Sequence, residues 1–130
     1  MPGYSICLVT AGDKAIARKI ANALLNEQLA ACVSFAEGIT SIYRWKGKIE
    51  ENAEVIMIIK TRDILREEVI QCVKKNHNYE LPEILFLPVE GSADYLDWIG
   101  ANTRFAMGMS SDAAVSETPE ILHSLEIKDK

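Results

Sequence analysis

The sequence predicts an α+β fold of the ferredoxin-like type, a four-stranded sheet with two helices packed on one face. The first observation is the order of the predicted elements: strand, helix, strand, strand, helix, strand. The second is that "SICLV" and "VIMII", in the first and third strands, alternate least between apolar and polar residues. Right-handed crossovers place these two strands in the middle of the sheet, where both of their faces are buried.

The first half of the chain supplies three strands and one helix. Tyr4–Thr10 is a β-rich run, and Asp13 to about Gln28 carries apolar residues at helical spacing. The runs "AACVSF" and "GITSIYRW" predict β-structure up to a hairpin turn at Gly47, because glycine takes the positive φ that such a turn needs. The run "KIEENAEVIMIIKT" returns as the third strand.

The second half supplies a helix, the last strand and an additional C-terminal helix. The second helix is predicted to begin at Asp63, a suitable N-cap, because apolar residues at helical spacing follow it. After a break over residues 76–82, "EILFLPV" predicts a fourth strand, and Pro88 indicates that this strand either lies at an edge of the sheet or ends there. A short third helix is predicted over Ser92–Asn102.

The length and composition predict a single domain. A chain of 130 residues that is 48% hydrophobic is large enough for one core. Residues 1–105 are predicted to form this domain, and residues 106–130 a polar, flexible tail with one weak turn of helix near Ile121–Leu125.

The charge and the cysteine content narrow the classes of partner. A net charge of −5 provides no broad basic field for a nucleic acid or an anionic membrane. Cys7, Cys32 and Cys72 are odd in number and form no CxxC, which argues against a disulfide framework or a zinc ribbon. The chain also has no signal-peptide pattern and no apolar run long enough to span a bilayer. We expect a soluble, cytoplasmic protein that binds neither nucleic acid nor membrane.

The predicted sheet has one face without a cover. Two helices cover one face of a four-stranded sheet, yet both faces of its central strands read as apolar. Another subunit is the simplest cover for the second face, so the fold predicts an oligomer.

Four segments carry a further signal: "LAACVS" (Leu29–Ser34), "TSIYRWKGKIEENAEVIMIIKT" (Thr40–Thr61), "HNYELPEILFLPV" (His77–Val89) and "DYLDWI" (Asp94–Ile99). Their order and spacing resemble the CutA family of divalent-cation tolerance proteins. The resemblance implies a ferredoxin-like fold assembled as a homotrimer, which supplies the missing cover. It also implies a metal-responsive role in tolerance of divalent cations, chiefly copper.

The candidate metal ligands are His77, Glu80 and Cys7. Neutral imidazole is a common copper and zinc ligand, but His77 follows two lysines at a helix end, where a structural role is favoured over metal contact. Glu80 supplies carboxylate oxygens either to a metal or to backbone hydrogen bonds. With no second histidine nearby, a preformed cage of three or four ligands is not expected within one chain.

The resemblance also bears on the ligand set. In bacterial relatives a cysteine of the first strand joins the histidine as a copper ligand, but Val9 holds that place here. Cys7 lies one strand period earlier on the same face, so either Cys7 substitutes for it or the site is lost. Where the family usually has His-Pro-Tyr-Glu, this chain has Asn78 in place of the proline.

Other motifs admit different functions. Four aromatic residues suit either a ring-bearing ligand or simple packing: Tyr43, Trp45, Tyr95 and Trp98. Lys60–Arg62, "KTR", favours the alternative of a trimeric signalling protein that binds a small anion or nucleotide in clefts between subunits. Catalysis is not expected, because there is no GxSxG and no Cys/His spacing typical of a nucleophile and its base.

Overall fold

The computed structural model describes residues 3–105 and contains the predicted order of elements. These are β1 (Tyr4–Ala11), α1 (Lys14–Asn26), β2 (Cys32–Trp45), β3 (Lys48–Arg62), α2 (Arg66–Asn76), β4 (Ile84–Val89) and α3 (Ala93–Ala101). The α+β fold with an additional C-terminal helix is therefore confirmed. The predicted tail, including the turn at Ile121–Leu125, lies outside the described residues.

The sheet is antiparallel, with the strand order β2-β3-β1-β4. The first and third strands are central, as their apolar runs predicted. β4 pairs with β1 along one side only, which confirms the edge position indicated by Pro88, a residue that cannot donate a ladder hydrogen bond.

The β2–β3 hairpin is long and has one irregularity. The two β-rich runs of the sequence form one strand, β2, whose register with β3 shifts between Ala36 and Ile39. Gly38 lies within this bulge at a φ of 87°. At the tip, Lys46 and Gly47 have φ values of 50° and 83°, the conformation of the two-residue turn predicted there.

The core lies between the sheet and the first two helices. Asp13 caps α1, because its side chain accepts a hydrogen bond from the Ile16 amide at 2.9 Å. The buried side chains come from β1, β3, α1 and α2: Cys7, Val9, Met57, Ile59, Ile20, Leu24, Val69 and Val73. Both helices therefore cover the same face of the sheet.

The opposite face of the sheet keeps an apolar surface, as the sequence predicted. Leu85 and Leu87 of β4 are 56% and 50% exposed, and Ile6 and Ile58 of the central strands are half-buried. α3 covers one end of this face, where the Lys60 Nζ lies 5.7 Å from the centroid of the Tyr95 ring. The other part has no cover among residues 3–105.

The predicted N-cap at Asp63 is wrong. A turn of 3₁₀ helix over Asp63–Leu65 precedes α2, and the Asp63 side chain caps neither element. Its Oδ1 instead accepts hydrogen bonds from the Ser5 hydroxyl and, at 3.1 Å, from the Arg66 Nη2. Because these partners already hold the carboxylate, it is not available to the amides of the helix.

Candidate functional site

The 77–83 loop connects α2 to β4 and packs beside the end of β1 through His77. The His77 Nε2 lies 2.7 Å from the Thr10 carbonyl oxygen, and its Nδ1 lies 3.1 Å from the Tyr79 amide nitrogen. Because a carbonyl only accepts and an amide N–H only donates, the proton is on Nε2 and Nδ1 is the acceptor. His77 is therefore a neutral imidazole with both ring nitrogens engaged by the backbone.

Tyr79 joins the same loop to β3. Its hydroxyl donates a hydrogen bond of 2.7 Å to the Oε2 of Glu54, a side chain that is only 8% exposed. Burial and the neighbouring Glu54 carboxylate both raise the pKa of Tyr79, so the phenol keeps its proton. Gly12 permits this approach, because a Cβ atom there would lie 3.2 Å from the hydroxyl oxygen of Tyr79.

An open cleft of about 610 Å³ lies between the 77–83 loop and the β2–β3 hairpin. Its charged lining residues, within the described part of the chain, are all acidic: Glu54, Glu80 and Glu83. Its aromatic lining residues are Tyr43, Trp45 and Tyr79. Partial desolvation, and then the charge of Glu54, raises the pKa of Glu83. We call this feature the acidic cleft.

The structure brings two of the three predicted metal ligands into one loop. Glu80 is exposed and forms an ion pair with Lys46, with 3.6 Å between Oε1 and Nζ. Cys7 lies in the core beside α1 and α2, on the same buried face of β1 as Val9. Burial raises the pKa of the Cys7 thiol to about 12. Among residues 3–105, no three His, Cys, Asp or Glu side chains are grouped so as to hold a metal ion.

The four predicted aromatic residues lie in two places. Tyr43 and Trp45 line the acidic cleft, and the Tyr43 hydroxyl accepts a hydrogen bond from the Asn52 amide. Tyr95 and Trp98 contact each other on α3, with 5.5 Å between ring centroids.

The "KTR" motif makes contacts within the chain. Thr61 donates a hydrogen bond of 2.7 Å to the Leu29 carbonyl, and Lys60 lies 3.8 Å from the Cys32 Sγ. Arg62 is 8% exposed and donates to the Thr103 hydroxyl at 2.9 Å and to the Arg104 carbonyl. Arg62 thereby fastens the segment after α3 to the sheet, and Thr61 fastens the segment before β2.

Glu54 is the functional candidate that the sequence did not single out. The only signal was a carboxylate directly before the buried apolar run of β3, in "NAEVIMIIK". That position is typical of a strand entering solvent, so only the folded loop shows that Glu54 is buried. None of the helices within residues 3–105 is both long enough and apolar enough to cross a membrane.

Comparison with known proteins gives one family. The family model of the CutA1 divalent ion tolerance protein matches residues 5–102. The divalent-cation tolerance protein CutA of Citrobacter koseri is 43% identical over 105 residues, which are 80% of this chain and 91% of that protein. The chloroplastic protein CutA of Arabidopsis thaliana is 41% identical over 100 residues, and the match covers 76% of this chain but only 55% of that longer protein.

Solved structures agree with the sequence comparisons. The divalent cation tolerance protein (Cut A1) of Thermus thermophilus matches with a TM-score of 0.75 at 42% identity, over 77% of this chain and 98% of that one. CutA1 of Oryza sativa matches with a TM-score of 0.75 at 39% identity, over 80% and 95% of the two chains. The chain therefore belongs to the CutA1 family of divalent-ion tolerance proteins.

Proposed function

We propose that the protein is a homotrimeric, metal-responsive binding protein that holds divalent cations, copper foremost, at the 77–83 loop. The observation that carries this proposal is the state of His77, whose neutral ring presents the Nδ1 lone pair to one backbone N–H. The charged residues of the loop that line the adjoining cleft, Glu80 and Glu83, are acidic. The relatives named above as divalent-cation tolerance proteins support the same class of ligand.

Copper binding at His77 requires a small rearrangement. The metal replaces the Tyr79 N–H at Nδ1, and Glu80, three residues further on, supplies a carboxylate oxygen. Glu80 is released easily, because an exposed ion pair such as Glu80–Lys46 contributes only about 0–1 kcal/mol. Copper is favoured because it binds nitrogen ligands more tightly than the other common divalent metals. One imidazole and one carboxylate make a weak site, which water or a second subunit completes.

Cys7 takes no part in this proposed site. A metal binds the thiolate, and burial of Cys7 keeps its thiol protonated at neutral pH. The side chain also lies in the core, on the face of β1 that α1 and α2 cover. Of the two alternatives raised by the sequence, we therefore propose that Cys7 does not substitute for the cysteine of the bacterial relatives.

The proposed trimer rests on the uncovered apolar face of the sheet. Leu85→Asp places a charge on that face and should convert the trimer into monomers in light scattering. Leu25→Asp is the matched control, because Leu25 is an exposed leucine of α1 on the helical side. A native protein that scatters as a monomer of 14.5 kDa, or a trimer unaffected by Leu85→Asp, would contradict the proposal.

The remaining features of the proposal follow from the composition. The protein acts by binding, not as an enzyme, and has no nucleic-acid or membrane partner, in keeping with its charge of −5. Three free cysteines support a reducing, cytoplasmic location.

Residues 1–105 form the functional domain, so a chain that ends at Phe105 should assemble like the full chain. Loss of assembly in that truncated chain would show that residues 106–130 are needed.

Copper titration of four proteins tests the metal assignment. Native protein and the variants His77→Ala, Glu80→Gln and Cys7→Ser are titrated by calorimetry at equal trimer content. We expect the largest loss of affinity for His77→Ala, a smaller loss for Glu80→Gln, and no change for Cys7→Ser. Equal copper affinity of His77→Ala and native protein would remove the site from this loop.

A further inference from the structure

The acidic cleft contains a buried negative charge that the described part of the chain does not neutralise. Glu54 is 8% exposed, and its hydrogen-bond partner within residues 3–105 is the Tyr79 hydroxyl at Oε2. The ion pairs found among those residues do not include Glu54 or Glu83. A buried carboxylate is costly unless a positive charge accompanies it. The cleft is therefore suited to a cationic ligand.

The walls of the cleft favour an organic cation over a metal ion at this place. A metal ion requires several converging ligands, and within residues 3–105 no group of three such side chains occurs. Tyr43, Trp45 and Tyr79 instead supply aromatic surfaces, which attract ammonium groups through the negative faces of their rings. The volume of about 610 Å³ lies within the range of small-molecule sites.

The chain itself places an ammonium group beside this cleft. The Lys46 Nζ lies 5.5 Å from the centroid of the Trp45 ring and 3.6 Å from the Glu80 Oε1. Trp45 and Glu80 both line the cleft, so an alkylammonium is already held there between an aromatic ring and a carboxylate. The Lys46 side chain is 69% exposed, and a ligand can therefore displace it at low cost.

We propose that the acidic cleft binds an alkylamine or diamine, with one ammonium against Glu54 and the carbon chain along Tyr43 and Trp45. A diamine fits better than a monoamine, because Glu54 is buried and Glu80 is exposed, so carboxylates are present at two depths. Its second ammonium takes the place of Lys46 beside Glu80. This ligand goes beyond the proposed metal function and does not depend on His77.

Calorimetry with three compounds of similar size tests the proposal on the full chain at pH 7. The probes are 1,4-diaminobutane, n-butylamine and 1-butanol, the last being neutral. We expect the diamine to bind with a dissociation constant of about 0.1–1 mM, the monoamine more weakly, and the alcohol not at all. Absence of diamine binding, or equal binding of the alcohol, would overturn the proposal. A cation from a second subunit that already neutralises Glu54 would give the former result.

Three variants locate the ligand. Glu54→Gln should weaken diamine binding about tenfold or more, because it removes the buried charge. Lys46→Ala should strengthen diamine binding about two- to fivefold, because it removes the internal ammonium that competes for Glu80 from an exposed position. Glu37→Gln is the control, since Glu37 is exposed on β2, pairs with Lys14 and does not line the cleft.

The variants also separate this proposal from the metal proposal. If Glu54→Gln does not fold, Lys46→Ala still decides, because unchanged or weaker diamine binding in that variant contradicts the proposed place of the ligand. His77→Ala should lower copper affinity more than diamine affinity, whereas Glu54→Gln should lower diamine affinity more than copper affinity. A loss of diamine affinity at least as large in His77→Ala as in Glu54→Gln would show that the ammonium does not occupy the site proposed here, whereas unchanged copper affinity in His77→Ala would count only against the metal site.

Discussion

Both ends of the sheet carry charged side chains, but the two ends differ in the partners that these side chains have within the chain. At one end, which we call the anchored end, Thr61 and Arg62 bind the Leu29 carbonyl, the Thr103 hydroxyl and the Arg104 carbonyl. At the other end lies the acidic cleft, where Glu54 has a hydrogen bond to Tyr79 but no ion pair within residues 3–105. The guanidinium of Arg62 is used inside the fold, whereas the carboxylate of Glu54 faces a cleft.

This difference separates the two functions considered from the sequence. The alternative of an anion- or nucleotide-binding protein rested on the cations of Lys60–Arg62. Arg62 is buried beneath the segment that follows α3, so a phosphate would have to break structural contacts to reach it. The acidic cleft repels the same ligand. A charged motif therefore indicates a ligand only when its groups lack partners within the chain.

The largest effect on stability is expected at the anchored end, for the substitution Arg62→Ala. The change leaves the Arg104 carbonyl without this donor and opens a space beneath Thr103, so the free energy of unfolding should fall by about 2–4 kcal/mol. Urea unfolding at one fixed protein concentration measures the fall. Arg44→Ala, at an exposed position of the hairpin, should change stability by less than about 0.5 kcal/mol. Equal effects of the two changes would mean that Arg62 is not a structural anchor.

An intermediate effect is expected for Tyr79→Phe in the acidic cleft. Removing the hydroxyl leaves the buried Glu54 carboxylate without its donor, which should cost about 1–3 kcal/mol of unfolding free energy. Tyr43→Phe serves as the control, since it removes the hydroxyl of a more exposed tyrosine that lines the same cleft. If Tyr43→Phe lowers the free energy of unfolding as much as Tyr79→Phe does, the contact between Tyr79 and Glu54 has no special role.

The smallest effect is expected for Glu83→Gln, and it depends on pH. The pKa of Glu83 is raised above its ordinary value of 4.5, so the folded chain binds this proton more tightly than the unfolded chain. Stability should therefore fall as pH rises from about 4.5 through the raised pKa, and stay constant above it. Glu83→Gln should melt slightly higher than native protein at pH 7 and at the same temperature near pH 3.5.

The matched control for this pH effect is Glu51→Gln, on the exposed part of the hairpin. This variant should follow the native melting curve at both pH values. If Glu83→Gln raises the melting temperature by the same amount at pH 3.5 and at pH 7, the charge of Glu83 is not the cause of the increase.

Periodicity predicted the fold well but predicted the partners of polar side chains poorly. The apolar runs of β1 and β3 identified the central strands because burial on both faces is a local property of the sequence. Asp63 was misread as a cap because its partners, Ser5 and Arg66, include a residue far away in the chain. Glu54 was missed for a related reason, since the loop that buries it starts more than twenty residues later.

The metal ligands show the same limit. The resemblance to the CutA family, carried by four motifs, is confirmed by the comparisons. The roles of His77, Glu80 and Cys7 in metal binding remain predictions. The sequence placed Cys7 on the same face as Val9, and the structure adds that this face packs against helices.

Both proposed sites require that this protein binds cations and not anions, and one calorimetric comparison decides between the two classes of ligand. Native protein at one fixed concentration is titrated with copper, with zinc, and with a nucleotide panel that includes ATP and AMP. We expect saturable binding of copper, weaker binding of zinc, and no binding of the nucleotides. Saturable nucleotide binding in a protein that does not bind copper would contradict it.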